Sequence, residues 1–536
     1  MNRTTIQTLF LSRQLSSPER AAPSVATKSL RSPIRKGRSA FRTMLLLSCI
    51  VFASALWPSA GSAQEFLPGA AGAGDPYFPL DGNGGYDVRR YELQLKYDPA
   101  TDLLEGRATI RAKATQNLSS FNLDLVGLTV HAVTVNKRLA SFGHVGNELT
   151  ITPESGLRQN RGFTVVVDYS GIPQSLEGAG FIHTDDGTLV AGEPHSAASW
   201  FPVNDHPTDK ASYSFEISVP EGLEAVSNGI LKRQRTENGW TTWTWEAKQP
   251  MASYLTTATI GEFDLRAYKE KGIRYWDAVD PDLIAPLGPQ IDAAFALQPE
   301  VIEFLEGRFG SYPFVAGGGI VDDYEGLGFA LENQTRPIYD ADWAFESQET
   351  TERIFVHEIA HQWCGNSLAV ARWQDIWLNE GFATYAEWLW LEEKRGVPAQ
   401  ETFELYYFGI PLETEGGWKG FWQGTVGDPG PDHLFDLFVY YRGAMTLHQL
   451  RLAVGDTAFF KILKRWAQQR KGDNVTTEEF IALAEKISGQ ELDDLFQTWL
   501  FTLGRPELPQ SLGVAARASA LSAAPPLPLS PHGTRH

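Results

Sequence analysis

The chain has 536 residues with a formal net charge of −19; 43% of its residues are hydrophobic and 21% charged. That length and balance describe a globular protein of two or three domains and exclude a disordered chain. The charge is polarised. Residues 1–63 carry nine Lys or Arg and one acid, a net +8, so residues 64–536 carry −27. A body that acidic repels nucleic acid and anionic membrane, so neither is expected as a partner.

Taken in chain order, the basic start leads into MLLLSCIVFASALW at 44–57, followed by the small residues SAGSAQ at 59–64. The pattern predicts a cleavable signal peptide over residues 1–63, with cleavage after Ala63 and a long basic n-region, an uncleaved signal anchor being the plain alternative. The apolar run is too short to span a bilayer comfortably, so no stable membrane insertion is expected after cleavage. The expected location is secreted, periplasmic or extracellular. Cys49 falls inside the signal, leaving Cys364 alone in the mature chain and no intramolecular disulfide.

Residues 64–74 read as a flexible lead-in. From 75 to 270 the hydrophobic period is two: YELQLKY at 91–97, FNLDL at 121–125, YSFEISV at 213–219 and TTWTWEA at 241–247 alternate apolar and polar positions. These are strands with one buried face, forming a mostly antiparallel β domain. After Pro281 the period lengthens. IDAAFALQPEVIEFLEGRFG at 291–310 predicts a helix stopped by Gly310, and a β-like stretch follows at 317–334. From Thr350 onward helices dominate, one of them ending at Gly396 with Pro398 beyond, and others running from Tyr441 to Leu503. This makes residues 271–505 a second, mostly helical domain. Residues 506–536 are rich in Pro and Ala and read as a disordered tail.

The helical half contains HEIAHQWCGN at 357–366. Positions four apart share a helix face, so His357 and His361 can aim at one metal ion. Glu358 is rotated about 100° from His357 by the 3.6-residue period, placing it beside a reacting water rather than on the metal. Catalytic zinc takes three protein ligands. Glu380, in NEGFATYAE and 18 residues beyond His361, supplies the third if the chain turns back as an antiparallel helix. A surface carboxylate is the plain alternative, and it fits poorly among Trp377, Leu378 and Phe382. Cys364 reads as a buried, inert cysteine.

HEIAHQWCGN followed by WQDIWLNEGFATYAE at 373–387 resembles the aminopeptidase N family of gluzincin zinc metallopeptidases, whose metal motif is HExxH, 18 residues, then E. The resemblance runs from about residue 75 to about residue 503. It implies a multidomain α+β fold: an N-terminal antiparallel β-sandwich-like domain and a thermolysin-like, mostly helical zinc peptidase domain. It implies one zinc ion per chain on His357, His361 and Glu380, with Glu358 as general base. A family tyrosine that donates to the oxyanion matches Tyr440 in YYRG, and a one-residue shift would move that role to Tyr441. Read without the family, either tyrosine is equally a core aromatic.

The family's G-A-M-E-N edge-strand segment is similar to GFALENQ at 328–334. This makes Glu332 the ligand of the substrate's α-amine and Ala330 and Leu331 a backbone rail. Phe329 stands where glycine is usual, and Cys364 where an aromatic is usual. Glu193 in EPHSAASWFPVNDHP matches a second amine ligand. The expected activity is that of a secreted zinc aminopeptidase acting on peptides with a free N-terminus, in a short form lacking the helical domain that many relatives carry further on. The rivals are an endopeptidase, which Glu332 argues against; an epoxide hydrolase, for which no residue speaks; and a binding protein with a vestigial site, against which the full residue set argues.

Overall fold

The computed structural model describes residues 65–176, 178–410 and 420–508. The expected signal peptide and residues 509–536 of the expected tail lie outside the described residues. No described helix is long and apolar enough to cross a membrane.

Three of the four period-two segments, 91–97, 213–219 and 241–247, lie in an eight-stranded sheet, and FNLDL lies in a separate four-stranded one. The spatial order of the larger sheet is Ile230–Glu237, Trp240–Met251, Ala211–Pro220, Tyr86–Asp98, Leu103–Ala114, Gly162–Gly171, Thr129–Val135 and Arg138–Leu139. Neighbours are antiparallel except at the centre, where Ala211–Pro220 runs parallel to Tyr86–Asp98. Tyr91, Leu93, Leu95 and Tyr97 bury one face of their strand, and Phe215, Ile217, Trp243 and Trp245 continue that layer.

FNLDL departs from the one-face expectation, because Phe121, Asn122, Leu123 and Asp124 are all buried. The polar face is covered by chain that supplies hydrogen bonds. Asp124 accepts from Asn83 Nδ2 at 3.1 Å and from Asp205 N at 2.7 Å, which offsets much of the desolvation cost.

The expected flexible lead-in is held in place. Leu67–Pro68 pairs in parallel with Leu118–Asp124. Just beyond it, buried Asp75 accepts from the backbone N of Trp373 at 2.9 Å and lies 3.3 Å from His206 Nε2. Tyr77 accepts from Gly430 N at 2.9 Å and donates to Asp428. Glycine and proline gave this stretch a loop-like composition, and backbone pairing with distant segments fixes it.

Another four-stranded sheet has the order Asp264–Glu270, Ile273–Val279, Ala316–Asp322, Ile338–Asp340, with the last three parallel. Its first strand falls inside the expected 75–270 bounds of the β domain, and its pairing puts it in this sheet. The crossover between the two central parallel strands is helix α1, Ile284–Phe309, which starts earlier than its periodicity indicated and ends at Gly310.

Helix α2 spans Gln348–His361, α3 Trp377–Trp390, α4 Ala399–Gly409 and α5 Leu437–Val454. Helices α2 and α3 lie side by side, and α3 packs on α5. The α3–α5 crossing is set by two glycines. A Cβ on Gly381 would lie 2.9 Å from the backbone of Gly443, and one on Gly443 would lie 2.9 Å from Gly381 Cα. Any side chain at either position would push the helices apart.

Candidate metal centre and substrate cleft

Ser347 caps α2 by accepting from Thr350 N, fixing where the helix begins. Ten residues on, His357 and His361 present imidazoles one turn apart, with ring centroids at 4.7 Å. Glu380, in the first turn of α3, points between them. Its Oε2 lies 3.3 Å from His357 Nε2 and 3.4 Å from His361 Nε2. Ligands about 2.05 Å from a tetrahedral zinc ion stand about 3.3 Å apart. The Glu380 oxygen therefore stands from each imidazole nitrogen at about that spacing, the three donors lie within 4.8 Å of one another, and two imidazoles with a carboxylate suit zinc.

The outer nitrogens of both rings are occupied. His357 Nδ1 donates to Glu387 Oε1 at 2.8 Å, and His361 Nδ1 to the Cys364 carbonyl at 3.1 Å. That leaves each Nε2 as the ligating atom. Glu387 is itself held by Arg353 Nε at 2.9 Å, and Arg353 reaches the Tyr406 hydroxyl at 3.3 Å. Burial alone would raise the Glu380 carboxyl, but His361 and His357 beside it hold it well below the usual range. Burial pushes the Glu358 carboxyl up to about 8, against the pull of His357 and His361. Cys364 is buried, which drives its thiol far above the usual value.

Tyr440 and Tyr441 on α5 point to different places. The Tyr440 ring lies near-parallel to His357, 6.0 Å from it. Tyr441 packs 4.4 Å from Tyr406, in the field of Arg353 and Glu387. Of the two, Tyr440 stands against a ligand ring and Tyr441 against the residues behind it.

Glu332 is buried, and its carboxylate lies within 4.8 Å of ligand atoms on Glu358 and His361. Its Oε1 has no hydrogen-bond partner among the described residues. Glu193 is also buried. The Tyr254 hydroxyl, pushed up first by burial, also feels the charges of the Glu332, Glu193 and Glu380 carboxylates. Ala330 is half-buried in the same segment. That segment is not an edge strand. The β-like stretch expected over 317–334 stops at Asp322, because Gly326 and Gly328 take φ of 83° and 74°, and beyond them a single bridge forms, Leu331 with Ile338.

Glu387, Arg353 and Tyr254 were not singled out from the sequence. Glu387 was within reach, since it follows Glu380 by seven residues, two helical turns on one face. Arg353 and Tyr254 come from other elements and carry no local signal.

A β-rich domain joined to a helical one, with two histidines on one helix and a glutamate on the next, defines a two-domain zinc metallopeptidase architecture. Residues 88–255 match the Peptidase M1 N-terminal domain and residues 323–499 the Peptidase family M1 domain. The chain belongs to peptidase family M1. It is 26% identical to aminopeptidase N of Streptomyces lividans over 83% of this chain and 54% of that protein. It is 26% identical to human glutamyl aminopeptidase over 59% of this chain and 34% of that one. The chain thus spans about a third to a half of the length of such relatives. The M1 zinc metallopeptidase from Deinococcus radiodurans shares 28% identity at a TM-score of 0.73, covering 83% of this chain and 100% of that one. A mutant of that protein has been solved with a Tyr-Ser-Ala substrate, at a TM-score of 0.72 and 28% identity over 82% of this chain and 99% of that one.

Proposed function

We propose that this protein is an exported, zinc-dependent aminopeptidase that removes the N-terminal residue of peptides. One observation carries the reading: the buried Glu332 carboxylate, with an oxygen unpartnered among the described residues, beside Glu358 and His361. An anionic group so close to the reacting residues suits a peptide's α-ammonium.

His357, His361 and Glu380 would hold the zinc ion, which when bound would polarise the scissile carbonyl and acidify the attacking water. Glu358 takes the proton from that water and hands it to the leaving amine. Tyr440 donates its hydroxyl to the oxyanion. Glu332 and Glu193 bind the α-ammonium, and Ala330 and Leu331 present backbone along the substrate. Support comes from the names of the relatives, aminopeptidase N and glutamyl aminopeptidase, and from the neighbouring structure with Tyr-Ser-Ala. Export rests on the basic-then-apolar start of the sequence.

A panel of aminoacyl-nitroanilides, each paired with its N-acetyl form, tests the reading. Turnover should require the free amine and should vanish with a chelator or with Glu358→Gln. Cleavage of acetylated substrates at comparable rates would replace an exopeptidase with an endopeptidase.

A further inference from the structure

After His361 the chain turns back on its own helix. Asn366 N donates to the His361 carbonyl at 3.0 Å and Ser367 N to the Gln362 carbonyl at 3.2 Å. Gly365 makes the turn at φ +130°, and a Cβ there would lie 3.1 Å from His361 Nδ1. The return brings two primary amides to one atom. Gln362 Nε2 donates to the Glu332 carbonyl at 3.2 Å, and Asn366 Nδ2 donates to the same oxygen at 2.7 Å. Gln362 Oε1 meanwhile accepts from Thr335 N at 2.9 Å. Gln362, Asn366, Glu332 and Thr335 are all buried.

Glu332 lies outside any ladder, next to the single bridge at Leu331. Two of these amide bonds therefore tie the Glu332 carbonyl to the end of the helix that carries His357, Glu358 and His361 and to the turn after it, and the third ties in Thr335 of the same segment. Gln362 can make its two because an amide holds a donor and an acceptor on one planar group; glutamate would lack the donor and leucine both.

We propose that Gln362 and Asn366 are positioning residues for recognition of the substrate's α-amine. They fix the Glu332 carboxylate at a set offset from the metal ligands, so that the gripped amine and the reacting carbonyl are one residue apart. This rests on the reading of Glu332 as the amine ligand. Neither amide needs to touch the substrate.

The test compares Gln362→Leu and Asn366→Ala with Glu332→Ala and with the double variant Gln362→Leu/Glu332→Ala. The readouts are kcat and KM on an aminoacyl-nitroanilide, the inhibition constant of the corresponding free amino acid, and zinc affinity by chelator competition. Loss of the buried amide bonds should raise KM and the inhibition constant about tenfold. Zinc affinity should hold, and kcat should fall by no more than about threefold. In the Glu332→Ala background Gln362→Leu should add nothing to KM, which a merely structural role would not produce. Asn366→Ala carries the same expectation if Gln362→Leu does not fold. A tenfold KM increase from Gln362→Leu that persists undiminished without the Glu332 carboxylate would overturn the inference, as would silent single variants beside a strongly impaired Glu332→Ala. An unimpaired Glu332→Ala would remove the amine-binding reading, and this inference with it.

Discussion

His357 Nδ1 lies 2.8 Å from Glu387 Oε1, and both residues are buried. Glu387 comes two turns after Glu380 on α3, so one helix supplies both a metal ligand and the carboxylate that orients another. Removing such a partner typically weakens metal binding 10–100-fold. Glu387→Gln should therefore raise the zinc dissociation constant by roughly that factor, while Glu358→Gln should leave it nearly unchanged. Chelator competition measures both, and equal affinities for Glu387→Gln and the parent protein would show that the bond is idle.

The two tyrosines of YYRG should separate kinetically. Tyr440→Phe removes a donor proposed for the oxyanion, a change worth about 10²–10³ in kcat. KM should change little. Tyr441→Phe should leave kcat within about threefold and act instead on melting temperature, since its ring packs on Tyr406. If the larger kcat loss follows Tyr441, the roles are reversed.

Asp277 gives a pH signature away from the metal. Burial pushes its carboxyl up to about 7, against hydrogen bonds from Gln298 and Tyr268. The folded protein thus holds a proton that the unfolded chain has released from about pH 4 upward. Folding stability falls as pH rises through that window and levels off above about 7. Asp277→Asn keeps an acceptor for Gln298 and removes the slope. Relative to the parent, the variant should gain about 2–3 kcal/mol on going from pH 5 to pH 8. Urea midpoints at the two values decide it, and parallel curves would mean that Asp277 titrates normally.

Arg336 is a buried cation surrounded by carbonyls. It donates to Ser227, Trp276, Gly317, Thr335 and Gly229, between the rings of Trp245 and Trp276. Those acceptors lie on both the β-rich domain and the four-stranded sheet. Arg336→Met leaves them unpaired and should cost at least about 3 kcal/mol. A loss below 1 kcal/mol in denaturant unfolding would show that solvent replaces the guanidinium.

Gly381→Ala and Gly443→Ala should each destabilise by about 1–3 kcal/mol through overpacking at the α3–α5 crossing. Because Glu380 and Tyr440 sit on those two helices, activity should fall further than stability alone accounts for. The ratio of residual activity to folded fraction measures this.

Local chemistry was the readable part of the sequence. His357 and His361 announce themselves by a spacing of four, and strands such as 91–97 by a period of two. The resemblance supplied Glu332 and Glu193, which no periodicity marks. What escaped depended on contacts between distant segments. FNLDL is buried on both faces because Asn83 and Asp205 reach it from elsewhere. The choice between Tyr440 and Tyr441 turned on which side of α5 meets His357, and the strand Asp264–Glu270 chose its sheet by its partner. The GFALEN segment resembled a strand by composition, while two glycines at positive φ made it a loop.

The hydrogen bonds of Asp75 and Tyr77 have a practical corollary. Similarity to the M1 N-terminal domain begins at residue 88, downstream of both. A recombinant version started at that boundary would strip the buried Trp373 amide of its acceptor and loosen the turn at Gly430. The folded unit therefore extends at its front edge beyond the stretch that matches the N-terminal domain. Truncation there would remove contacts made with the helical half of the chain.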